Sequence, residues 1–246
     1  MNSLQLAGPQ VVETVLAAKP QQFSRIWLQQ DSKSQRLQAL EKSARKAGIE
    51  VTTVDRERLD KMMPGVRHQG IIADFTPDNV HSEEVLDELL ASATSDPLFL
   101  ILDGVQDPHN LGACLRSAEA AGVTAVILPK DRAAELTAVA RRAAVGAAEL
   151  VPIVRVVNLA RVLRQLKAAG VWLAGTSDDA SATLYQQDLR GPLGLVLGGE
   201  GDGMRRLTSE ICDYQLAIPL HGHVSSLNVS VAAGVCLFEI QRQRLG

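Results

Sequence analysis

Residues 98–116 read LFLILDGVQDPHNLGACLR and contain the clearest structural signal in the chain. The apolar residues at the start are typical of a parallel β-strand that is buried on both faces. A polar loop follows, and a helical pattern then runs from Leu111 to Ala121, with Asn110 placed to cap that helix. This strand–loop–helix unit predicts an α/β fold, in which ligands bind beyond the carboxyl ends of the strands.

Similar segments extend the pattern in both directions. Toward the C-terminus, strands are predicted at 125–128, 151–154, 171–174, 193–197 and 216–218, and helices at 133–145, 159–169 and 227–242. Such alternation predicts a parallel sheet with helices on both faces. Toward the N-terminus, a smaller α/β head is predicted from strands at 25–28, 51–54 and 70–73 and a helix at 34–47.

Charge is distributed unevenly along the 246 residues, whose formal net charge is −3. Residues 1–75 contain 11 Lys or Arg and 8 Asp or Glu, residues 76–97 contain six acids and no base, and residues 98–246 are neutral. This pattern predicts a head domain at 1–75, an acidic linker at 76–97 and a larger domain at 98–246. The small basic excess of the head fits a solvated surface as well as a nucleic-acid partner.

Composition excludes several classes of protein. No apolar run approaches the ~18 residues of a membrane span, and no basic region followed by an apolar stretch marks a signal peptide. The three cysteines form no C-x-x-C pair, which argues against a disulfide framework or a zinc ribbon and favours a reducing cytoplasm. Aromatic residues make up 3% of the chain, too few for a base-stacking platform.

Two polar loops follow predicted strands and carry candidate ligand groups. Gly112 and Arg116 share a helix face, so the glycine leaves room for the arginine beside the helix N-terminus, an anion site suited to phosphate. An ordinary capped helix with a surface arginine explains the same residues. Residues 198–204 contain four glycines around Glu200, a pattern that permits close backbone approach to a ligand or forms a plain tight turn. The dinucleotide and Walker glycine patterns are absent.

A third polar loop follows the predicted strand at 216–218. Ser226 is expected to cap the last helix, with Asn228 and Ser230 in its first turn and a buried stripe of Leu227, Val231, Val235 and Phe238. His221 and His223 lack an evident third ligand, so no metal site is expected, and no G-x-S-x-G elbow of a serine hydrolase occurs. Three such loops at strand ends predict a small-molecule site with an anionic partner.

The three loops together resemble the three motifs of the SpoU (TrmH) family of RNA ribose 2′-O-methyltransferases. The matching residues are Asn110-Leu111-Gly112-x-x-x-Arg116, Gly198-x-Glu200-x-x-Gly203 and Ile218-Pro219-x-x-Gly222-x-x-x-Ser226-Leu227-Asn228-Val229-Ser230. The head is similar to the substrate-binding domain of this family, which is related to ribosomal protein L30e, through Gly8-x-x-x-Val12 and residues 66–71. Pro9-Gln10 departs from the Ile-His or Ile-Asn that relatives often carry there.

The resemblance implies an α/β fold with an L30e-like N-terminal domain and a SPOUT catalytic domain, whose parallel sheet is followed by a C-terminal deep trefoil knot. It implies a cytoplasmic homodimer with the active site at the interface and no metal. S-adenosylmethionine would bind in the knot against the backbones of Gly198, Ile218 and Leu227. The substrate would be a guanosine in the peptidyl-transferase region of 23S rRNA, or of its precursor particle, methylated on the ribose 2′-hydroxyl.

The resemblance assigns catalysis to Asn110, Arg116, Glu200 and Asn228. Methyl transfer from a sulfonium is an in-line displacement, which needs the 2′-oxygen aligned and relieved of its proton. Because a guanidinium stays protonated at neutral pH, Arg116 is expected to stabilise developing alkoxide charge or to grip a neighbouring phosphate, while the other three orient the nucleotide. Two alternatives stay open: a tRNA guanosine 2′-O-methyltransferase, and a non-catalytic RNA-binding or ribosome-assembly protein.

Overall fold

The structure, a computed structural model, describes residues 3–93, 96–201 and 203–246. Outside the described residues lie Met1 and Asn2 of the predicted head, Thr94 and Ser95 of the predicted linker, and Asp202 of the glycine-rich loop. The chain divides into two compact units, Met1–Asp78 and Asn79–Gly246. Both are α/β, as the sequence predicts.

The first unit contains a mixed four-stranded sheet. Its elements are β1 (Leu4–Ala7), α1 (Pro9–Ala18), a 3₁₀ turn (Pro20–Gln22), β2 (Phe23–Gln29), α2 (Gln35–Lys46), β3 (Glu50–Val54), α3 (Arg56–Met62) and β4 (Ile71–Phe75). The strand order is β1-β4-β2-β3; β2 and β3 are parallel, and β4 is antiparallel to β1 and β2. The strands and the helix predicted in the head are confirmed to within two residues at each end.

Residues 66–71, which carry part of the resemblance of the head, include a turn at 69–70 that leads into β4. The buried His68 accepts a hydrogen bond from the Gly70 N–H at Nδ1 (3.0 Å) and contacts Asp60 with Nε2 (2.9 Å). Gly70 has a φ of +87°, and an added Cβ would lie 2.9 Å from the Leu37 side chain. The histidine and the glycine of this segment therefore serve folding.

The second unit contains an eight-stranded sheet. Its elements are β5 (Val80–Ser82), a 3₁₀ turn (Glu83–Val85), α4 (Leu86–Ser92), β6 (Leu98–Asp103), α5 (Pro108–Ala120), β7 (Ala125–Pro129), α6 (Ala138–Ala144), α7 (Ala147–Leu150), β8 (Ile153–Val156), α8 (Leu159–Ala168), β9 (Trp172–Thr176), β10 (Ala182–Thr183), β11 (Leu193–Gly198), α9 (Arg206–Ile211), β12 (Tyr214–Ala217) and α10 (Val229–Leu245). The strand order is β10-β12-β9-β11-β6-β7-β8-β5, and every neighbouring pair is parallel. None of the described helices is long and apolar enough to cross a membrane.

Helices cover both faces of this sheet, which confirms the predicted layering. Leu98, Leu100 and Leu102 of β6 face one core, which α5, α6, α7 and α10 complete. Phe99 and Ile101 face the other core, to which α4, α8 and α9 contribute. Because β6 contributes apolar side chains to both cores, its sequence is a continuous apolar run and not an alternating one.

The segment predicted as an acidic linker, 76–97, is in large part folded into the second unit. β5 pairs in parallel with β8 at the sheet edge, and Leu86 of α4 is buried in the core beside α8. Most of the acids of this segment face solvent, and Glu83 forms an ion pair with Arg161. The charge run therefore conceals an amphipathic helix, because charge counting ignores the apolar residues between the acids.

Three helices of the second unit start elsewhere than the hydrophobic pattern predicts. The helix predicted at 133–145 begins only at Ala138, after its cap Thr137. Asp107 caps α5 and accepts a hydrogen bond from the His109 N–H (2.8 Å), so the prediction that Asn110 caps this helix is wrong. Asn228, and not Ser226, caps α10. Helix starts are fixed by these local side-chain hydrogen bonds, which apolar spacing does not report.

The buried face of α10 also differs from the prediction. Val231 and Phe238 of the predicted stripe are 52% and 53% exposed in the single chain, and Leu227 precedes the helix. Val235 of the predicted stripe is partly buried against the core, and the buried residues of the helix are Val229, Ala233, Cys236, Leu237 and Ile240. Because α10 is apolar on more than one face, helical spacing alone does not select the face that is buried.

Candidate active site

The glycine-rich loop lies against the loop that follows β6. β11 and β6 are neighbours, with Gly198 opposite Asp103. A Cβ on Gly199 would lie 2.2 Å from the Gly104 carbonyl oxygen, and one on Gly198 would lie 2.1 Å from the backbone of Gly203. The two glycines are therefore required by backbone contacts, and the loop turns back on itself through a bridge between Gly199 and Gly203.

An ion pair fastens the end of this loop to the sheet. The Asp103 carboxylate, fully buried at the end of β6, accepts hydrogen bonds from the Arg205 backbone N–H (3.0 Å) and from Arg205 Nε (2.6 Å). Sequence reasoning missed both residues. Their only signal was position, since Asp103 directly follows a predicted strand and Arg205 follows the glycines.

Three of the four predicted catalytic residues meet beside the loop. Asn110 Nδ2 donates to Glu200 Oε1 (2.5 Å), and Asn228 Nδ2 donates to Asn110 Oδ1 (2.9 Å). Asn228 Oδ1 accepts from the N–H and the hydroxyl of Ser230 (2.9 and 2.6 Å). Each amide orientation is thus fixed by its partners, and the network joins α5, the glycine-rich loop and α10.

Arg116, the fourth, lies apart from this network. It is exposed on α5, forms no hydrogen bond or ion pair with the described residues, and is absent from the described lining of both cavities below. A Cβ on Gly112 would lie 2.2 Å from the Ala140 carbonyl oxygen and 2.6 Å from Ala143 Cβ. The prediction that Gly112 makes room for Arg116 is therefore wrong, because the glycine permits close packing of α5 on α6.

A cavity of about 750 Å³ opens beside the glycine-rich loop, within the size range of small-molecule sites. Gly198, Ile218 and Leu227, the residues expected at the cofactor, all line it, as do Glu200 and Asn228. A smaller cavity of about 470 Å³ lies across Glu200 and is lined by Gly104, Gln106, Asp107 and Asn110. Glu200 lines both cavities, and Asn110, its hydrogen-bond partner, lines the smaller one.

The lining of the larger cavity suits S-adenosylmethionine. Apolar side chains and glycine backbone fit an adenine and a thioether chain, and Asp178, Asp179 and Glu200 complement a cationic sulfonium and ammonium. No lysine, arginine or histidine is among the described lining residues. The residues present therefore fit this cofactor.

Sequence reasoning missed one wall of the larger cavity, which is formed by Thr176, Ser177, Asp178 and Asp179. These residues follow the carboxyl end of β9, the neighbour of β11. The rule that found the other loops applies here too, since ligands of parallel sheets bind at these strand ends. The signal was present in the sequence after the predicted strand 171–174.

No histidine or cysteine is among the described lining residues of the two cavities. His221 and His223 are exposed, and no group of three potential metal ligands occurs among the described residues. Burial raises the pKa of each cysteine thiol to about 12, which keeps Cys114, Cys212 and Cys236 protonated and unsuited to nucleophilic attack.

Comparison with known proteins places both units in context. Residues 97–238 match the model of the SpoU rRNA Methylase family, and residues 6–81 match the model for RNA 2′-O ribose methyltransferase substrate binding. The 23S rRNA (guanosine-2′-O-)-methyltransferase RlmB of Pseudomonas syringae pv. tomato is 51% identical over 237 residues, which cover 96% of this chain and 94% of that protein.

Two solved structures share the fold over 99% of this chain. An RNA 2′-O ribose methyltransferase has a TM-score of 0.79 at 27% identity, with 90% of its own chain covered. The SpoU methyltransferase AviRb from Streptomyces viridochromogenes, solved in complex with the cofactor AdoMet, has a TM-score of 0.77 at 24% identity, with 91% of its chain covered.

Proposed function

Because the chain belongs to the SpoU rRNA methylase family, we propose that it transfers a methyl group from S-adenosylmethionine to the ribose 2′-hydroxyl of a guanosine in 23S rRNA. The observation that carries this proposal is the network of Asn110, Glu200 and Asn228 on the wall of a cavity that suits the cofactor. The smaller cavity across Glu200 is where the target nucleotide binds. The reaction takes place in the cytoplasm, in the peptidyl-transferase region of the RNA.

The cofactor is held by backbone groups more than by charged side chains. The backbones of Gly198, Ile218 and Leu227 hold the adenosyl part, and S-adenosylmethionine supplies an electrophilic methyl group there. Gly198 and Gly199 keep the loop close to the sheet, and the Asp103–Arg205 pair fixes where it ends. This rigid loop holds Glu200 in place between the two cavities.

The chain's own residues orient the ribose and neutralise charge. Asn110 and Asn228 are held by the network, so their amides present fixed hydrogen-bonding groups to the nucleotide. Arg116, which stays cationic at neutral pH, stabilises negative charge on the 2′-oxygen or grips the adjacent phosphate.

We further propose that Arg116 acts across a homodimer interface. Asn110 and Arg116 are six residues apart on α5 and so face different directions, which supports a site completed by the partner's arginine. The exposed Val231 and Phe238 of α10 supply an apolar face for a second copy. The apolar stripe predicted from the sequence would then be buried between protomers and not within one chain.

Mixing of two strongly impaired variants tests this shared site. Equal amounts of Arg116→Ala and Asn110→Ala chains, refolded together, are expected to recover about a quarter of wild-type activity, because half of the dimers have one intact site of two. Each variant alone is expected to retain only a small fraction of wild-type activity. Failure to recover activity in a mixed sample that is dimeric by sedimentation would show that one protomer holds the complete site.

Two finer structural features are part of the proposal. β11 lies between β6 and β9, β12 lies beyond β9, and α10 returns to pack on α5. This path of the chain supports a C-terminal deep trefoil knot. In that knot, residues 218–228 would run along the cofactor cavity. The first unit, with its match to a substrate-binding family model, is proposed as an L30e-like domain that binds the RNA.

Methyl transfer to cellular RNA tests the proposed function. Tritiated S-adenosylmethionine is incubated with the purified chain and total RNA from a strain that lacks the gene, and the labelled RNA is separated by size. Label in 23S rRNA, lost in Asn110→Ala, is the expected result. Label in tRNA would identify a tRNA methyltransferase, and cofactor binding without transfer to any RNA would identify a non-catalytic RNA-binding protein.

A further inference from the structure

The loop that follows β7 carries two cationic side chains to which the candidate active site described above assigns no role. Lys130 and Arg132 are exposed, and their side chains form no hydrogen bond or ion pair within the described part of the chain. The loop follows the carboxyl end of β7, and β7 is the neighbour of β6. It therefore lies at the same end of the sheet as the candidate active site.

Four hydrogen bonds fix this loop in place. The Arg155 guanidinium, 13% exposed, donates to the carbonyl oxygens of Ala134 (2.7 Å) and Pro129 (3.5 Å), at the two ends of the loop. The Lys130 N–H donates to the Val156 carbonyl oxygen (2.8 Å). The backbone is therefore rigid although the side chains of Lys130 and Arg132 are in solvent.

The fourth hydrogen bond ties the loop to the active site. The Ala134 N–H donates to the carbonyl oxygen of Val105 (2.8 Å), and both side chains are buried in the same core. Val105 stands between Gly104 and Gln106, which line the smaller cavity together with Asn110 and Glu200. The loop is thus anchored to the wall of the cavity assigned to the target nucleotide.

We propose that Lys130 and Arg132 bind RNA phosphates that flank the methylated nucleotide. This rests on the proposed function, and it adds a substrate-binding surface on the second unit to the one proposed for the first. Free cations on a rigid backbone suit phosphate, since binding has to order the two side chains but not the backbone. Asp131, exposed between them, opposes the binding, whereas Glu135, further along the loop, is paired with Arg155 (3.5 Å).

The test compares RNA binding at two salt concentrations. The variant is Lys130→Ala/Arg132→Asn, because Arg132 has a φ of +55° that asparagine tolerates. Each phosphate contact contributes a salt dependence, so the wild type is expected to lose about tenfold more affinity for 23S rRNA than the variant between about 50 and 200 mM salt. Affinity for S-adenosylmethionine and the thermal midpoint are expected to stay at wild-type values.

Two further variants test the sign of the charge effect on RNA binding and provide a control for loss of a distant arginine. Asp131→Asn is expected to strengthen RNA binding, because it removes the only acid among residues 130–132. Arg164→Ala removes an exposed arginine of α8, on the other face of the sheet, and is expected to leave the salt dependence unchanged.

Binding is measured directly, so it separates this inference from the proposed function. A wild-type salt dependence in the double variant overturns the role of the loop, whether or not the wild type methylates the RNA. A reduced salt dependence in the double variant, with no methyl transfer by the wild type, retains the phosphate contact and overturns the proposed function.

Discussion

The Asp103 carboxylate holds both the backbone N–H and the side chain of Arg205, a residue 102 positions later in the chain. This pair closes the glycine-rich loop, because Asp103 ends β6 and Arg205 follows Gly203 and Met204. The shape of the larger cavity therefore depends on a pair of residues that are not among its described lining.

Asp103→Asn is expected to weaken binding of S-adenosylmethionine about tenfold, or ~1.4 kcal/mol, since the amide keeps the shape and loses the charge that holds Arg205. The turnover number at saturating cofactor should change little. Calorimetric titration measures the affinity. Asp188→Asn, which removes an exposed carboxylate paired with Arg190, is the control. Unchanged cofactor affinity in Asp103→Asn would contradict this role.

Gly112→Ala is expected to destabilise the fold by about 1–3 kcal/mol, because the new methyl group overlaps the Ala140 carbonyl oxygen. Gly234→Ala on α10 is the matched control, since its Cβ would meet only the Ser117 hydroxyl at 3.7 Å. That change should be neutral or stabilising by up to about 1 kcal/mol. Urea denaturation measures both. Equal stabilities for the two variants would show that α5 and α6 pack more loosely than described.

Asn228→Asp separates the cap of α10 from the hydrogen-bond network. The carboxylate still caps the helix, but it no longer donates to Asn110 and adds a second acid near Glu200. A decrease in the turnover number on the order of 100-fold is expected, with little change in the free energy of unfolding. Asn158→Asp, the same change at the cap of α8, should leave turnover unaltered. Equal turnover in both variants would contradict the network.

Arg116→Lys is expected to retain measurable methyl transfer at neutral pH, because a lysine ammonium still stabilises developing negative charge. Activity is measured from pH 6 to pH 10 for the wild type, Arg116→Lys and Arg116→Ala. If Arg116→Ala alone lost an ionisation from its pH–rate profile, Arg116 would be a base and the electrostatic role would be wrong.

The thiols are expected to be inert in the folded protein. Burial raises the pKa of Cys114, Cys212 and Cys236 to about 12, so the reactive thiolate is scarce at pH 8 and increases only as the pH approaches that value. Iodoacetamide should label none of them at pH 8 in buffer and all three in concentrated urea. Rapid labelling in buffer would show that a thiol is accessible.

Buried parallel strands could be predicted from sequence because each one, such as Leu98–Asp103, is a continuous apolar run. The three loops could be predicted because they follow such strands and carry glycine, asparagine and glutamate. Helix starts were predicted less well, since Asp107 and Asn228 are selected as caps by local hydrogen bonds that no periodicity shows.

Contacts between distant segments were out of reach of the sequence pattern. The packing of Gly112 on Ala140 and the pairing of Asp103 with Arg205 depend on how elements meet in space. For the acidic segment, the charge pattern predicts a linker. Its apolar residues, Leu86 above all, can be recognised as core residues only once the core that they pack into is known.

Mapping of the methylated nucleotide tests the central claim most directly. The purified chain, S-adenosylmethionine and 23S rRNA that lacks the modification are incubated together, and the RNA is digested and analysed by mass spectrometry. We predict one added methyl group on the ribose of a guanosine in the peptidyl-transferase region. A methyl group on a base, on another nucleoside, or on no 23S rRNA fragment would contradict the claim.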